Sequence, residues 1–158
     1  VSLKGNLTEE PVVDMRVSKK WSAYGPRKGE SPRIVAVCAN LSDATPIAAE
    51  LEKLNTGSLL TYNSQTELRL NPPAGEIDLF ILIDRAFSEP ITDTLCWLER
   101  YQPRAAKAVV GEFGAGRHEL AARVGGAFYF VHQAYSGQCS DLVQIAVLRS
   151  DRTDSPAA

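Results

Sequence analysis

The stretch Asp78-Leu79-Phe80-Ile81-Leu82-Ile83-Asp84 decides the fold of this chain. It places an uninterrupted apolar run between two carboxylates, and the run is too short for most helices. Because the residues that point to either face of a strand are all apolar here, the run is typical of a strand buried on both sides in a parallel sheet. Its last residue, Asp84, is therefore expected at the rim of that sheet, where such folds bind ligands.

Further runs of the same kind lie along the chain, and stretches with helical spacing separate most of them. These runs are Arg33–Ala39, Leu59–Tyr62, Ala108–Val110 and Ala127–Val131. Strands that alternate with helices predict an α/β fold in which helices cover both faces of a parallel sheet. We expect a three-layer sandwich around a five-stranded parallel sheet of order 2-1-3-4-5, joined by right-handed crossovers.

The helices are predicted from apolar residues that recur every three or four positions. Residues expected to face the core are Leu54 in the first helix, Leu120, Ala121 and Val124 in the fourth, and Leu142, Ile145 and Leu148 in the last. Ser140 and Asp141 predict the start of the last helix, because such side chains cap helix N-termini.

Composition divides the chain into three segments. Residues 33–150 carry the alternating pattern and form one domain. Residues 1–32 mix charged residues with Pro, Gly and Ser, which predicts a flexible N-terminal leader. The alternative is a segment that docks through Trp21 and Tyr24, since aromatic side chains anchor interfaces. Residues 151–158 are small or polar and predict a disordered tail.

The composition is that of an ordinary globular protein. The 158 residues carry a net charge of −2 and are 44% hydrophobic, so neither a nucleic-acid surface nor a membrane surface is expected. The three cysteines, Cys38, Cys96 and Cys139, form no Cys-x-x-Cys pair, and their odd number argues against a disulfide framework. We expect Cys38 and Cys96 to be buried and the protein to be cytoplasmic. His118 and His132 lie far apart in sequence, so no metal site is predicted.

Polar residues follow several predicted strands and should meet at one rim, because parallel strands end at the same edge of their sheet. They are Asn40, Asp43, Asp84, Arg85, Glu112, His132 and Gln133. The pair Asp84-Arg85 forms either a polar site in the crevice or a loop cap, and Asp43 is a candidate helix cap. His132 is either a pH-sensitive donor or a hydrogen-bonded rim residue. The stretch Glu112–His118 is either an anion site at a helix start or a flexible turn.

The segment Gly126-Ala-Phe-Tyr-Phe-Val-His-Gln-Ala-Tyr-Ser136 resembles part of a receiver domain of bacterial two-component signalling. Receivers typically read Gly-Ala-x-x-Tyr-Leu-x-Lys-Pro-Phe-Ser in this place, and Asp78–Leu82 resembles their third strand. The resemblance covers about residues 33–150. It implies a receiver-like, flavodoxin-like fold and a role in signal transduction as a response regulator-like protein.

The resemblance also implies five groups for phosphoryl transfer, and the chain departs from nearly all of them. Cys38-Ala39-Asn40 stands where receivers have two acids that hold Mg²⁺, Gly111-Glu112 where they have Ser or Thr, and Gln133 where they have Lys. The candidate phospho-acceptor Asp84 lies one residue beyond the expected position, which Ile83 takes. Phosphoryl transfer needs fixed cations and donors because its transition state spreads negative charge over three oxygens.

These departures predict a pseudo-receiver that is not an enzyme and uses no cofactor. We expect a regulatory or scaffolding module that acts through protein–protein contacts, with a partner protein or with another copy of itself. The resemblance implies contacts through the face of helix 4, strand 5 and helix 5, where Tyr129 and Tyr135 are the candidate contact residues. One alternative is an atypical receiver phosphorylated on Asp84. Another is a flavodoxin-like protein that binds a nucleotide or flavin in the crevice.

Overall fold

The computed structural model describes residues 21–24, 31–83, 90–111, 116–131 and 135–153. Its strands are β1 (Ser22–Ala23), β2 (Arg33–Cys38), β3 (Ser58–Tyr62), β4 (Leu79–Ile83), β5 (Ala106–Gly111) and β6 (Phe128–Val131). A 3₁₀ helix (Leu41–Ala44) leads into α1 (Thr45–Leu54), and the other helices are α2 (Gln65–Leu70), α3 (Ile91–Tyr101), α4 (Gly116–Val124) and α5 (Tyr135–Thr153). Within these residues, no helix is long and apolar enough to cross a lipid bilayer.

The strands form one sheet of order β1-β3-β2-β4-β5-β6. Strands β2 to β6 are parallel and follow the predicted order 2-1-3-4-5, which confirms the α/β sandwich. The predicted number of five strands is wrong, because β1 adds a sixth that runs antiparallel to β3. Its two residues, Ser22 and Ala23, are too few to show a strand pattern in the sequence.

Strand β4 is buried along its whole length, as the apolar run predicts. Leu79, Ile81 and Ile83 belong to the core beneath α1 and α5, while Phe80 and Leu82 belong to the core beneath α2, α3 and α4. The carboxylate before the strand has a structural role. A buried oxygen of Asp78 accepts the backbone N–H of Arg33 at 2.8 Å, so it joins the starts of β4 and β2.

Part of the predicted leader packs against the sheet. The Arg33 guanidinium lies 4.3 Å from the ring centroid of Trp21, and the Tyr24 N–H donates to the Gly57 carbonyl at 3.0 Å. Trp21 and Tyr24 pack against opposite faces of the sheet. Residues 21–24 therefore dock against the sheet, as the alternative interpretation expects, and do not form a flexible leader. Residues 1–20 and 25–30 lie outside the described part.

Helix α4 presents a different face from the predicted one. It buries Ala122, whereas Leu120 is 66% exposed and Val124 is 77% exposed. The reason is close packing against α3: a Cβ on Gly125, just after α4, would lie 2.8 Å from Leu95 Cδ1. Only small side chains fit between two helices that lie this close together, so the large side chains of α4 remain on the surface.

Helices α1, α3 and α5 also differ from the predicted pattern. Helix α5 begins at Tyr135, five residues before the predicted cap at Ser140, because the buried Tyr135 side chain already anchors its first turn. It continues to Thr153, so the first residues of the predicted tail are helical and residues 154–158 lie outside the described part. Leu54 and Leu148 are exposed because they lie on the outer faces of their helices, and Cys96 is exposed for the same reason.

Candidate functional site

The parallel strands end along one edge of the sheet, which we call the carboxyl edge. Among the described residues, it is formed by Cys38 at the end of β2, Ile83 at the end of β4, Gly111 at the end of β5 and Val131 at the end of β6. Cys38 lies opposite Ile83, and Gly111 lies opposite Val131. The predicted crevice between β2 and β4 therefore opens above a thiol and an aliphatic side chain.

Two of the predicted rim residues are described. Asn40 is exposed just after β2, and Asp43 is half-buried in the 3₁₀ helix that follows. Asp43 does not cap α1: the N-cap residue is Ala44, without a side-chain cap, because the 3₁₀ turn runs directly into the helix. The remaining candidates lie outside the described residues, and these are Asp84, Arg85, Glu112, His132 and Gln133.

Cys38 occupies the place where a receiver has acids. Its side chain is 1% exposed. Burial raises the pKa of its thiol to about 11, and the Asp43 carboxylate adds to the shift. The end of β2 therefore carries a neutral thiol at physiological pH.

Residues 38–40, where a receiver has its acids, do not fit Mg²⁺. That ion prefers oxygen ligands, above all carboxylates, whereas these residues offer the Cys38 thiol, the Ala39 methyl group and the exposed Asn40 amide, and the next carboxylate along the chain is Asp43. Within the described ranges, no three His, Cys, Asp or Glu side chains come together to hold a metal. Ile83, at the position expected for a phospho-acceptor, is 1% exposed and has no nucleophilic atom.

Tyr135 is a core residue and not the surface contact that the sequence predicted. It is 4% exposed in the core beneath α1 and α5, together with Cys38 and Cys139. The Cys139 thiol donates to the Tyr135 carbonyl at 3.1 Å. Burial is the main cause of the raised pKa of Tyr135 and raises the pKa of Cys139 to about 11. Sequence reasoning missed Cys139, although it follows Tyr135 by one helical turn.

Tyr129, the other predicted contact residue, is half-buried and reaches across the sheet to β5. A Cβ on Gly111 would clash with the Tyr129 hydroxyl oxygen and would lie 2.9 Å from the adjacent ring carbon. The phenol thus fills the space that a side chain at the end of β5 would need. Gly111 stands where receivers have Ser or Thr, and this close approach explains why no side chain fits there.

We expect Gly111→Ala to lower the free energy of unfolding by about 1–3 kcal/mol, because the new methyl group must displace the Tyr129 ring from a packed position. Urea unfolding measures the change. Gly116→Ala is the matched control, since a Cβ there meets nothing within 4 Å. If Gly111→Ala were as stable as Gly116→Ala, the tyrosine would be free to move aside.

Exposed apolar side chains lie on α4 and at the start of β6, on opposite faces of the sheet, because Phe128 shares its face of β6 with Phe130, on the side of α5. Leu120 and Val124, one helical turn apart, are 66% and 77% exposed, and Phe128 at the start of β6 is 48% exposed. We call these three residues the α4–β6 surface. In the predicted numbering, which lacks β1, these two elements are helix 4 and strand 5.

No protein-family model and no curated protein matches the sequence. Among solved structures, the chain is similar to a CheY-like response regulator receiver domain protein from Methanospirillum hungatei JF-1. The identity is 12%, the match covers 78% of this chain and 98% of that chain, and the TM-score is 0.64.

Two more solved structures are similar. The receiver domain of a response regulator protein from Clostridium thermocellum is 20% identical, with 78% of this chain and 97% of that chain covered and a TM-score of 0.58. The signal receiver domain of an HD domain-containing protein from Pseudomonas fluorescens Pf-5 is 13% identical, with 84% and 98% covered and a TM-score of 0.66. Together with the strand order, these likenesses show that the chain has the flavodoxin-like fold of response regulator receiver domains.

Proposed function

We propose that this chain is a pseudo-receiver, a non-catalytic regulatory or scaffolding module that acts through protein–protein contacts. The observation that carries the proposal is the end of β2, where the buried Cys38 thiol takes the place of an acid. Its pKa of about 11 keeps it neutral, so it supplies neither a metal ligand of the kind Mg²⁺ prefers nor a charge.

The chemistry of phosphoryl transfer supports this choice. Its transition state is stabilised by a metal ion and by donors fixed around the phosphoryl oxygens. Where the described strands end, the chain offers the neutral side chains of Cys38 and Ile83 and the backbone of Gly111. A pocket of this composition gives little electrostatic stabilisation to a phosphorylated carboxylate.

The α4–β6 surface supports a role in binding. A helix normally turns its large aliphatic side chains inward, but α4 buries Ala122 and leaves Leu120 and Val124 in solvent. Leu120 and Val124 are an exposed apolar pair one helical turn apart, and exposed apolar patches mark interaction sites. We assign the protein–protein contacts to this surface. We place the protein in the cytoplasm, because its three cysteines are free thiols.

A second candidate is an atypical receiver in which Asp84 accepts the phosphoryl group. One observation favours it: Asp43 lies in the 3₁₀ helix that directly follows β2, so an acid is present near the carboxyl edge. A metal bound through Asp43 and Asp84 would be needed for this chemistry. The binding of a nucleotide or flavin has no comparable support.

Treatment with acetyl phosphate and Mg²⁺, followed by intact mass spectrometry, tests the proposal. We expect no covalent adduct, while a receiver domain with the complete set of acids and lysine, treated in the same way, becomes phosphorylated. The variants Asp43→Asn and Asp84→Asn should also show no adduct after this treatment. A stoichiometric gain of one phosphoryl group that disappears in Asp84→Asn would establish the second candidate.

A further inference from the structure

Strand β1 occupies one edge of the sheet although it buries little surface of its own. Its two residues, Ser22 and Ala23, lie opposite Leu59 and Ser58 of β3, and both are exposed. Neither carries a large apolar side chain that could hold the strand against the sheet. The position of β1 therefore depends on the residues that flank it.

Two aromatic side chains anchor β1, one from each end of the strand. Trp21 packs against the core beneath α2, α3 and α4, and Tyr24 packs against the core beneath α1 and α5. The Arg33 guanidinium lies over the Trp21 ring in cation–π geometry, and the Tyr24 N–H donates to the Gly57 carbonyl. The edge of β3 thus binds an extended segment that places one aromatic ring on each face of the sheet.

A cavity of about 210 Å³ lies beside Trp21, and Tyr62, Asn71 and Pro73 form part of its lining. This lining is held in place by side chains from two elements. The Tyr62 hydroxyl donates to the Asn71 carbonyl at 2.5 Å, and the Tyr101 hydroxyl of α3 donates to the Pro73 carbonyl at 2.5 Å. Because the lining is fixed, a ligand that enters this cavity does not have to order it.

A second cavity, of about 240 Å³, lies beside Tyr24 on the other face of the sheet. Leu59 and Ala48 give it apolar surface, and Thr45 adds a hydroxyl group at the start of α1. The two aromatic side chains that anchor β1 therefore each border space that they do not fill. Larger side chains at these two positions would bury more apolar surface than residues 21–24 do.

We propose that the outer edge of β3, with these two cavities, is a binding site for an extended segment of a partner protein that carries aromatic side chains at positions i and i+3. That spacing places the two rings on opposite faces of a strand, one at each cavity. Backbone pairing with β3 supplies affinity, and the cavities supply specificity. The inference goes beyond the proposed function, since this site lies at the opposite edge of the sheet from β6.

Residues 21–24 act as a competitor for this site within the same chain. A tethered segment competes at an effective concentration on the order of millimolar, and a free peptide therefore binds with reduced apparent affinity. A partner gains access when its contacts exceed those of Trp21 and Tyr24. The unfilled volume beside both rings gives a larger segment the means to do so.

Fluorescence polarisation of a labelled peptide tests the competition. The probe is the synthetic peptide Lys-Lys-Trp-Ser-Ala-Tyr-Gly, which repeats residues 19–25. We expect a double variant with Trp21→Ser and Tyr24→Ser to bind this peptide at least about tenfold more tightly than the unchanged protein, because its own segment no longer competes. Leu148→Ser, which removes an exposed side chain from α5, is the matched control and should bind as weakly as the unchanged protein.

Hydrogen exchange tests whether the peptide takes the place of β1. The Tyr24 amide donates to Gly57 and should exchange faster when the unchanged protein is held at millimolar peptide. Arg33→Gln is a milder variant in case the double variant does not fold, as circular dichroism would reveal. It removes the cation over the Trp21 ring and should raise peptide affinity about two- to fivefold.

Four outcomes would overturn the proposal. Equal affinity of the unchanged protein, the double variant and Arg33→Gln would mean that residues 21–24 do not compete, and an absence of binding to all three would mean that there is no such site. Binding with an unchanged Tyr24 amide would place the peptide elsewhere. Equal binding of a peptide with alanine in place of both aromatic residues would exclude recognition by the cavities. None of these results depends on the phosphodonor experiment, so the pseudo-receiver proposal can stand or fall independently.

Discussion

Raising the pH from 9 to about 12 is expected to unfold this protein. Four acidic groups in the core, Tyr135 among them, are harder to ionise when the chain is folded. Burial, as the largest cause, raises the pKa of the Cys38 and Cys139 thiols from 9.0 to about 11, and the pKa of the Tyr62 hydroxyl from 10.0 to about 12. Carboxylates nearby add to each shift: Asp43 for Cys38, Glu50 for Cys139 and Glu67 for Tyr62.

The direction follows from proton linkage. Below pH 9 both the folded and the unfolded chain keep these protons, so stability does not depend on them. Above that pH the unfolded chain releases them first, and folding becomes less favourable until the folded groups also ionise, at about pH 11 for the thiols and about pH 12 for Tyr62. Each group accounts for about 2–3 kcal/mol, and the sum is comparable with the whole stability of a typical domain.

Urea unfolding at a series of pH values measures this effect. Cys139→Ala should be less stable at pH 8 but should lose less stability between pH 9 and pH 11, because one of the titrating groups is gone. Cys96→Ser, at an exposed position, should keep the alkaline profile of the unchanged protein. A free energy of unfolding that stays constant from pH 9 to pH 11 would show that the core thiols ionise as readily as in the unfolded chain.

The sheet could be predicted from the sequence because its strands are buried on both faces. The run Leu79–Ile83 has no polar residue on either face, and only a central parallel strand needs that pattern. The edge strand β1 could not be predicted in the same way. Ser22 and Ala23 join the sheet through backbone bonds and through the anchoring aromatic side chains of Trp21 and Tyr24, and neither leaves a periodic pattern.

In helix α4, the hydrophobic periodicity of the sequence predicts the wrong buried face. Leu120 and Val124 have the spacing of a buried stripe, yet the helix packs through Ala122 because α3 lies so close to it. A hydrophobic pattern identifies the apolar face of a helix but not the distance to its neighbour. That distance depends on residues outside the helix, here on Leu95 and Gly125, and so it can be read only from the folded structure.

The candidate site was predicted in part. The replacement of acids by Cys38-Ala39-Asn40 is visible in the sequence, and the structure adds that the thiol is buried. The contact between Gly111 and Tyr129 could not be foreseen, because it joins two strands across a distance that depends on their register. A glycine at the end of a predicted strand does not reveal which side chain lies over it.

Cys38→Asp, which restores one acid of the receiver pattern, is expected to lower the free energy of unfolding by about 3 kcal/mol or more at pH 8. The side chain at this position is 1% exposed, so the new carboxylate would be buried without a cation, and the Asp43 carboxylate already acts on this position. Its pKa would be raised, and the folded chain would hold the proton more firmly than the unfolded chain. The destabilisation should therefore be smaller at pH 5 than at pH 8.

Two control variants separate charge from shape in this measurement. Cys38→Asn has nearly the same size as Cys38→Asp but no charge, so its cost should not change between pH 5 and pH 8. Asn40→Asp adds a charge two residues away at an exposed position and should change stability by less than about 0.5 kcal/mol. If Cys38→Asp were as stable as Asn40→Asp and bound Mg²⁺, the carboxyl edge would accept an acid pair after all. The absence of an acid at the end of β2 would then be a matter of residue 38 alone, and not of a core that excludes charge from that position.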